Sequence, residues 1–380
     1  MFVHACSNAQ WMSGVCNSSS IGLNHAEYNY KGGSKMKAAI YHGIENVTVE
    51  DIPMPEYGPK DVILKTVRAG ICGTDIGAFF HGGEEAGIFP ENQFGHEMAS
   101  IVYKVGEEVP SNVKEGMRVF LNPILSKRLD CGLSLFEICD ECGAFSQYVQ
   151  VQDAQIDYNI FPLPENVSFD TAALIEPFSV GMHAANAGSA KPGDKVVIFG
   201  AGTIGLSTMC ACIGKGVKDI VVVDIDDWRL EKVKKMGAVP FNSAKGDLLT
   251  FLQGLYGSLI NAANAPAANI DLYFDTAGVN SIIPSVLGMA KQSARLVIIA
   301  LYHNNVEINP FQLLASEMNV IGSFAYQNPD IREVISVLEA ESTPIDQIVT
   351  HHFPLDKINE AFGVAKAGKN VIKILIDHEA

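Results

Sequence analysis

The chain has 380 residues, 48% hydrophobic and 18% charged, a composition that builds a buried core and excludes a disordered, collagen-like or solenoid protein. At about 100–200 residues per domain, that length suggests two domains. Asp and Glu number 43 against 27 Lys and Arg, a formal net charge of -16 that repels phosphate backbones and anionic lipid, so neither nucleic acid nor a membrane is an expected partner.

Residues 1–35 are rich in Ser, Asn and Gly without a sustained period, and read as a flexible extension. No basic-then-apolar leader opens the chain, and no apolar run approaches the roughly 20 residues that span a bilayer. The expected location is the cytoplasm. There the eight cysteines, at 6, 16, 72, 131, 139, 142, 210 and 212, read as ligands or core fillers and not as disulfides. Cys210 and Cys212 fall in an apolar helical stretch and read as structural.

From Met36 an alternating strand, Lys37 to Tyr41, opens a run of short segments bounded by Gly and Pro: VTVEDI, DVILKTV, MASIVYKVG, MRVFL and FSQYVQV. This pattern predicts an antiparallel β domain to about residue 180. From Lys195 the rhythm becomes apolar strand, helix, apolar strand: KVVIFG, IGLSTMCACIGKG, DIVVVDI, WRLEKVKKMGA, then DLYFDTAG, ARLVIIA and NVIGSF. It predicts a parallel sheet covered on both faces. The Ala- and Asn-rich piece from Asn261 to Asn269 reads as a loop. Two helical segments, IREVISVLEA and LDKINEAFGVAKAG, and a last strand, VIKILI, close the chain.

Gly200-Ala201-Gly202-Thr203-Ile204-Gly205 follows an apolar strand and opens a helix. In that context Gly200 permits a tight turn, Gly202 lets backbone approach a pyrophosphate, and Gly205 lets helix and strand pack closely. The helix N-terminus, including Thr203 and Ile204, supplies free N–H groups to phosphate. Val221-Val222-Val223 ends in Asp224, where a carboxylate can accept the ribose hydroxyls and repel a 2′-phosphate, favouring NAD over NADP. Arg229 lies where a positive charge reaches the adenosine side. A flavin or S-adenosylmethionine is the competing ligand.

GICGTD around Cys72, FGHE around His96 and LIEP around Glu176 are each open to a bland reading: a buried thiol, a core histidine, a helix-initiating acid before Pro177. Together they supply a thiolate, an imidazole and a carboxylate, which suits a catalytic zinc with an open position. Thr74 is placed to relay a proton, and Asp75 to hold His96 in the ligating tautomer.

The set GICGTD, GHE, ALIEPFSVGMHA, GAGTIG, VVVDIDDWR and IVTHHFPLDKINEAF resembles the zinc-dependent medium-chain alcohol dehydrogenases, most of all their sorbitol and butanediol dehydrogenase branch. The resemblance runs from about Met36 to the C-terminus. It implies an α/β protein: a β-rich GroES-like catalytic domain over 36–178, a Rossmann domain with a doubly wound parallel sheet over 179–317, and a segment, 318–380, that returns to the catalytic domain. It further implies that Cys72 and His96 ligate zinc and that Glu97 and Glu176 supply carboxylates, one directly and the other through metal-bound water. The implied activity is the reversible oxidation of a secondary alcohol, a polyol or vicinal diol, to a ketone with NAD, by a homo-oligomer, dimer or tetramer. A zinc-free reductase of the same superfold and a non-catalytic dinucleotide-binding protein are the alternatives.

Three departures from the family pattern stand out. Gly77 occupies a position where relatives often carry a proton-shuttling His, with His81 the nearest substitute or else a surface loop residue. Cys131, Cys139 and Cys142 have the wrong order for a structural zinc lobe, so one zinc per chain is expected. Ala325 stands in Phe-Ala-Tyr where sorbitol dehydrogenases read Phe-Arg-Tyr, with the arginine in the polyol pocket.

Overall fold

The computed structural model describes residues 34–128, 134–138 and 143–380. The expected extension lies almost wholly outside the described residues, as do Cys131, Cys139 and Cys142. The first part of the chain forms β1 (Lys35–Gly43), β2 (Asn46–Pro53), β3 (Val62–Gly70), α1 (Gly73–His81), β4 (Asn92–Gln93), β5 (Glu97–Val105), β6 (Arg118–Leu121), β7 (Ile124–Arg128), β8 (Ser134–Ile138), β9 (Tyr148–Val151), β10 (Ile160–Pro162), α2 (Phe169–Ala172) and α3 (Ile175–Ala187). The alternating segment after Met36 is β1, and the other expected strands up to FSQYVQV are β2, β3, β5, β6 and β9.

The middle forms β11 (Lys195–Phe199), α4 (Thr203–Gly214), β12 (Asp219–Asp224), α5 (Asp227–Lys235), β13 (Val239–Asn242), α6 (Leu248–Tyr256), β14 (Ser258–Ile260), β15 (Pro266–Ala268), β16 (Leu272–Asp275), α7 (Ile282–Met289), β17 (Arg295–Ile298), α8 (Pro310–Ser316) and β18 (Asn319–Gly322). Then come α9 (Asn328–Glu339), β19 (Val349–Pro354), α10 (Ile358–Ala367) and β20 (Lys373–Asp377).

Six parallel strands order as β13-β12-β11-β16-β17-β18. Their centres, such as Val196 to Ile198, Ile220 to Val222 and Leu272 to Phe274, are buried, as expected of parallel strands covered by helices on both faces. Between β11 and β16 the winding direction reverses, and the carboxyl ends of strands at such a point form a ligand crevice. The parallel sheet runs through β18, past the expected boundary at 317, because Asn319 to Gly322 pair with Arg295 to Ile298. The loop expected over Asn261 to Asn269 is partly strand, since β14 and β15 form a hairpin pairing Ser258 with Ala268. Its turn is held by the Asn261 side chain, which accepts from the Ala263 and Ala265 amides.

The other large sheet orders β10-β6-β5-β3-β20-β19, with β9 also on β3. β20 comes from the far end of the chain and pairs antiparallel with β3, Leu375 opposite Gly70. The C-terminal segment thus completes the N-terminal sheet. α3 contains the expected boundary at 178 and packs on α4. One apolar cluster joins Phe120 and Phe161 to Phe178, Met182, Leu206 and Met209, so the two lobes share a core along this helix. Cys210 and Cys212 are fully buried there. Burial pushes both thiols up, Cys212 to about 12, and they are inert fillers.

Candidate active site

β3 ends at Gly70, and Cys72 follows as the N-cap residue of α1. Asp75, in the first turn of α1, is fully buried and accepts the Cys72 amide on Oδ2 at 2.8 Å, one of the donors that a helix start leaves free. Its Oδ1 has no hydrogen-bond partner and lies 3.8 Å from Nδ1 of His96. Asp75 is therefore beside His96 at ion-pair distance, without a hydrogen bond to its ring. His96 and Glu97 sit at the start of β5, which pairs with β3 so that Glu97 stands opposite Gly70. That register brings the two sequence-distant motifs together. One ligand atom each of Cys72, His96 and Glu97 all lie within 4.8 Å of one another.

Glu176, at the first turn of α3, is buried beside them. Burial pushes its carboxyl up to about 7; Glu97 adds to the shift, while His96, Lys373 and a hydrogen bond from Tyr326 oppose it. Burial opposes the charge on His96, but Cys72, then Asp75 and Glu176, outweigh it and hold the imidazole well above 6.5. Burial likewise raises Asp75, against the pull of His96. Four acidic groups thus face two basic ones, His96 and Lys373, a pocket short of positive charge. Its sulfur, nitrogen and oxygen donors fit a zinc ion.

Lys373, the first residue of β20, was missed in the sequence. Its Nζ lies 2.7 and 2.5 Å from the two Glu97 carboxylate oxygens and 3.0 Å from the Ile71 carbonyl, with both side chains almost wholly buried. The signal was a single charge inside the otherwise apolar VIKILI. Tyr326, from the same returning segment, was also missed as a neighbour of Glu176. Thr74 is exposed on the first turn of α1, and His81 is exposed at that helix's far end.

The glycine loop runs from β11 into α4. Gly200 has φ +105, and a Cβ on Gly205 would meet the Gly200 carbonyl at 1.9 Å; no other residue fits either position. Gly202 is the N-cap residue of α4, and a Cβ there would meet nothing nearer than Arg229 at 3.8 Å. Asp224 ends β12, accepting the Ala201 amide on one oxygen and the Ile225 and Asp226 amides on the other. It therefore ties the loop to its neighbouring strand. Arg229 donates to the Val371 carbonyl and keeps Nε buried without a partner. It lines a cavity of about 110 Å³ with Ile71, Gly368, Val371 and Ile372. An orphaned guanidinium nitrogen on a side chain that approaches the N-cap glycine of α4 suits an anionic cofactor. Thr203 Oγ1 donates to Ile372, next to Lys373, so the glycine loop and the metal-type cluster meet at the start of β20.

Residues 58–165 match the family described as the alcohol dehydrogenase GroES-like domain, and residues 203–340 the one described as zinc-binding dehydrogenase. Sorbitol dehydrogenase of Mus musculus is 31% identical over 353 residues, 89% of this chain and 94% of that protein. (R,R)-butanediol dehydrogenase of Bacillus subtilis is 28% identical over 90% of this chain and 99% of its own. A crystal structure of 2R,3R-butanediol dehydrogenase from Bacillus subtilis superposes with a TM-score of 0.79 at 27% identity, covering 90% of this chain and 99% of that one. The chain belongs to the zinc-dependent medium-chain alcohol dehydrogenases, in the branch of the sorbitol and butanediol dehydrogenases. It is an oxidoreductase of that family, with a GroES-like domain and a Rossmann domain.

Proposed function

We propose that this chain interconverts a secondary alcohol and a ketone, using one zinc per chain and NAD, and that its substrate is a vicinal diol in preference to a six-carbon polyol. The carrying observation is the convergence of Cys72, His96 and Glu97 beside Glu176, against the segment that receives Thr203. A zinc-free reductase has no need of that convergence.

Cys72, His96 and Glu97 would hold the metal, and Gly200, Gly202, Thr203, Ile204, Gly205, Asp224 and Arg229 the dinucleotide. When bound, these groups supply Lewis acidity toward the substrate hydroxyl and a hydride acceptor. The chain's own part is orientation and proton handling. Asp75 steadies His96 while capping α1, Lys373 fixes Glu97, and Glu176, titrating near neutrality, holds or yields a proton. Thr74 passes the proton toward solvent. Asp224 repels a 2′-phosphate, supporting NAD. Ala325 offers no donor for further hydroxyls, which supports the smaller substrate.

No helix among the described residues is long and apolar enough to cross a membrane. A cytoplasmic site fits a working Cys72 thiol. A dimer is supported by β18, one edge of the parallel sheet, where Val320 is exposed, as are Phe311 and Leu314 of the preceding α8; strand edges pair readily with a second copy. Light scattering of Val320→Pro tests it, a monomer being expected.

The deciding experiment measures NAD and NADP reduction over a panel of diols and polyols, with metal analysis of the native chain and Cys72→Ser. One zinc per native chain, lost with activity in Cys72→Ser, is expected. Full activity without metal, or no dinucleotide reduction with any alcohol, refutes the reading.

A further inference from the structure

We infer that Asp275 and Tyr302 form a positioning pair for the nicotinamide half of the cofactor, an inference that rests on the dinucleotide reading above. The glycine loop after β11 and Asp224 after β12 belong to one half of the parallel sheet, which takes the adenosine end of a dinucleotide. Across the switch point, the loops after β16 and β17 are the corresponding walls for the other nucleotide.

Asp275 ends β16 and is fully buried. One carboxylate oxygen accepts the Ala277 amide at 3.1 Å and the Gly278 amide at 3.0 Å. The other accepts the Tyr302 hydroxyl, which comes from the loop after β17 and lies 3.3 Å from the Val279 carbonyl. The Asp275 carbonyl receives the Ile299 and Ala300 amides, both at 3.0 Å. One residue therefore ties both walls.

The walls are also in direct contact. Gly278 has φ +66, and a Cβ there would meet the Leu301 carbonyl at 3.0 Å. Thr276 faces the glycine loop from the same turn, its hydroxyl donating to the Phe199 carbonyl at 2.7 Å. Burial, then the carboxylate, pushes the Tyr302 hydroxyl up, so it remains a donor throughout the working pH range. Without that hydroxyl one buried oxygen of Asp275 loses its partner, and the loop after β17 loses its side-chain tie to the end of β16. Tyr302 acts through the loops it joins, so it is a positioning residue.

Tyr302→Phe tests this by titration of the native and variant chains with NADH and, separately, with AMP, which occupies only the adenosine half. The variant should bind NADH about tenfold more weakly, the size expected for one hydrogen bond to a charged group, and AMP as the native chain does. The ratio of the two constants is independent of the fraction folded. An unchanged ratio overturns the pair, as does equal weakening of both ligands. In the native chain, NADH should slow amide exchange at Ala277 and Gly278 more than AMP does; equal protection also overturns it. A native chain that binds neither ligand refutes the dinucleotide reading, and the pair with it.

Discussion

Lys373→Met keeps the apolar stem of a side chain that is 2% exposed and removes the ammonium that touches both oxygens of Glu97, itself 1% exposed. Breaking a buried ion pair from one side costs about 3–5 kcal/mol, because the remaining charge is stranded in a medium that solvates it poorly. At about 2–4 °C per kcal/mol for a unit of 150–250 residues, the metal-stripped variant should melt about 6–20 °C below the native chain. Zinc changes the comparison. If Glu97 is a ligand, losing Lys373 frees its oxygens, and a dication replaces the missing ammonium. The zinc-induced rise in Tm should therefore be larger in the variant than in the native chain. Ligand at about 100 times Kd contributes about 2.7 kcal/mol, so the difference is within reach of thermal melts run with chelator and with excess zinc. Equal melting of the two stripped proteins would show that the pair carries no stability. Equal zinc increments would remove Glu97 from the ligand set.

His42 places Nδ1 2.8 Å from Glu91 and Nε2 2.8 Å from Glu50, and a neutral ring can donate to only one of them. Glu91, then Glu50, holds the imidazole above 6.5, while Thr48, then His42, holds Glu50 below 4.5. The His42 contribution is complete below 6.5 and is lost as pH rises through its raised value; the Glu50 contribution is lost as pH falls through its lowered one. The Tm deficit of His42→Gln should be largest between those limits and fade as pH rises through the raised His42 value; a deficit constant with pH would contradict this. Gly205→Ala drives a Cβ onto the Gly200 carbonyl at 1.9 Å, so it should lower Tm by the equivalent of about 1–3 kcal/mol and weaken NADH binding in titration. Ala325→Arg should raise kcat/KM for sorbitol relative to butanediol, by up to the roughly tenfold that one hydrogen bond confers; a native enzyme that already prefers sorbitol strongly would sink the role given to Ala325.

The glycine loop with Asp224, the parallel sheet and the β-rich first half were all legible in the sequence, because each is encoded by residues adjacent in the chain. A turn that only Gly tolerates and a strand buried on both faces leave local marks. Cys72 and the pair His96 and Glu97 were legible as candidates but not as neighbours; the register of β3 against β5, Gly70 opposite Glu97, is what joins them. Which glutamate stands among the candidate ligand atoms was also a tertiary decision, since Glu97 at the start of β5 joins the group with Cys72 and His96 while Glu176 approaches it from α3. Lys373, marked only as a lone charge in an apolar strand, and Tyr326 could not be joined to the site from sequence because they come from the returning segment, 301 residues from Cys72 in the case of Lys373. Local sequence determines which elements form and where a backbone must bend; the charge that balances Glu97 and the burial that lifts Glu176 toward neutrality depend on distances between segments, and only the closed fold brings those distances within reach of electrostatics.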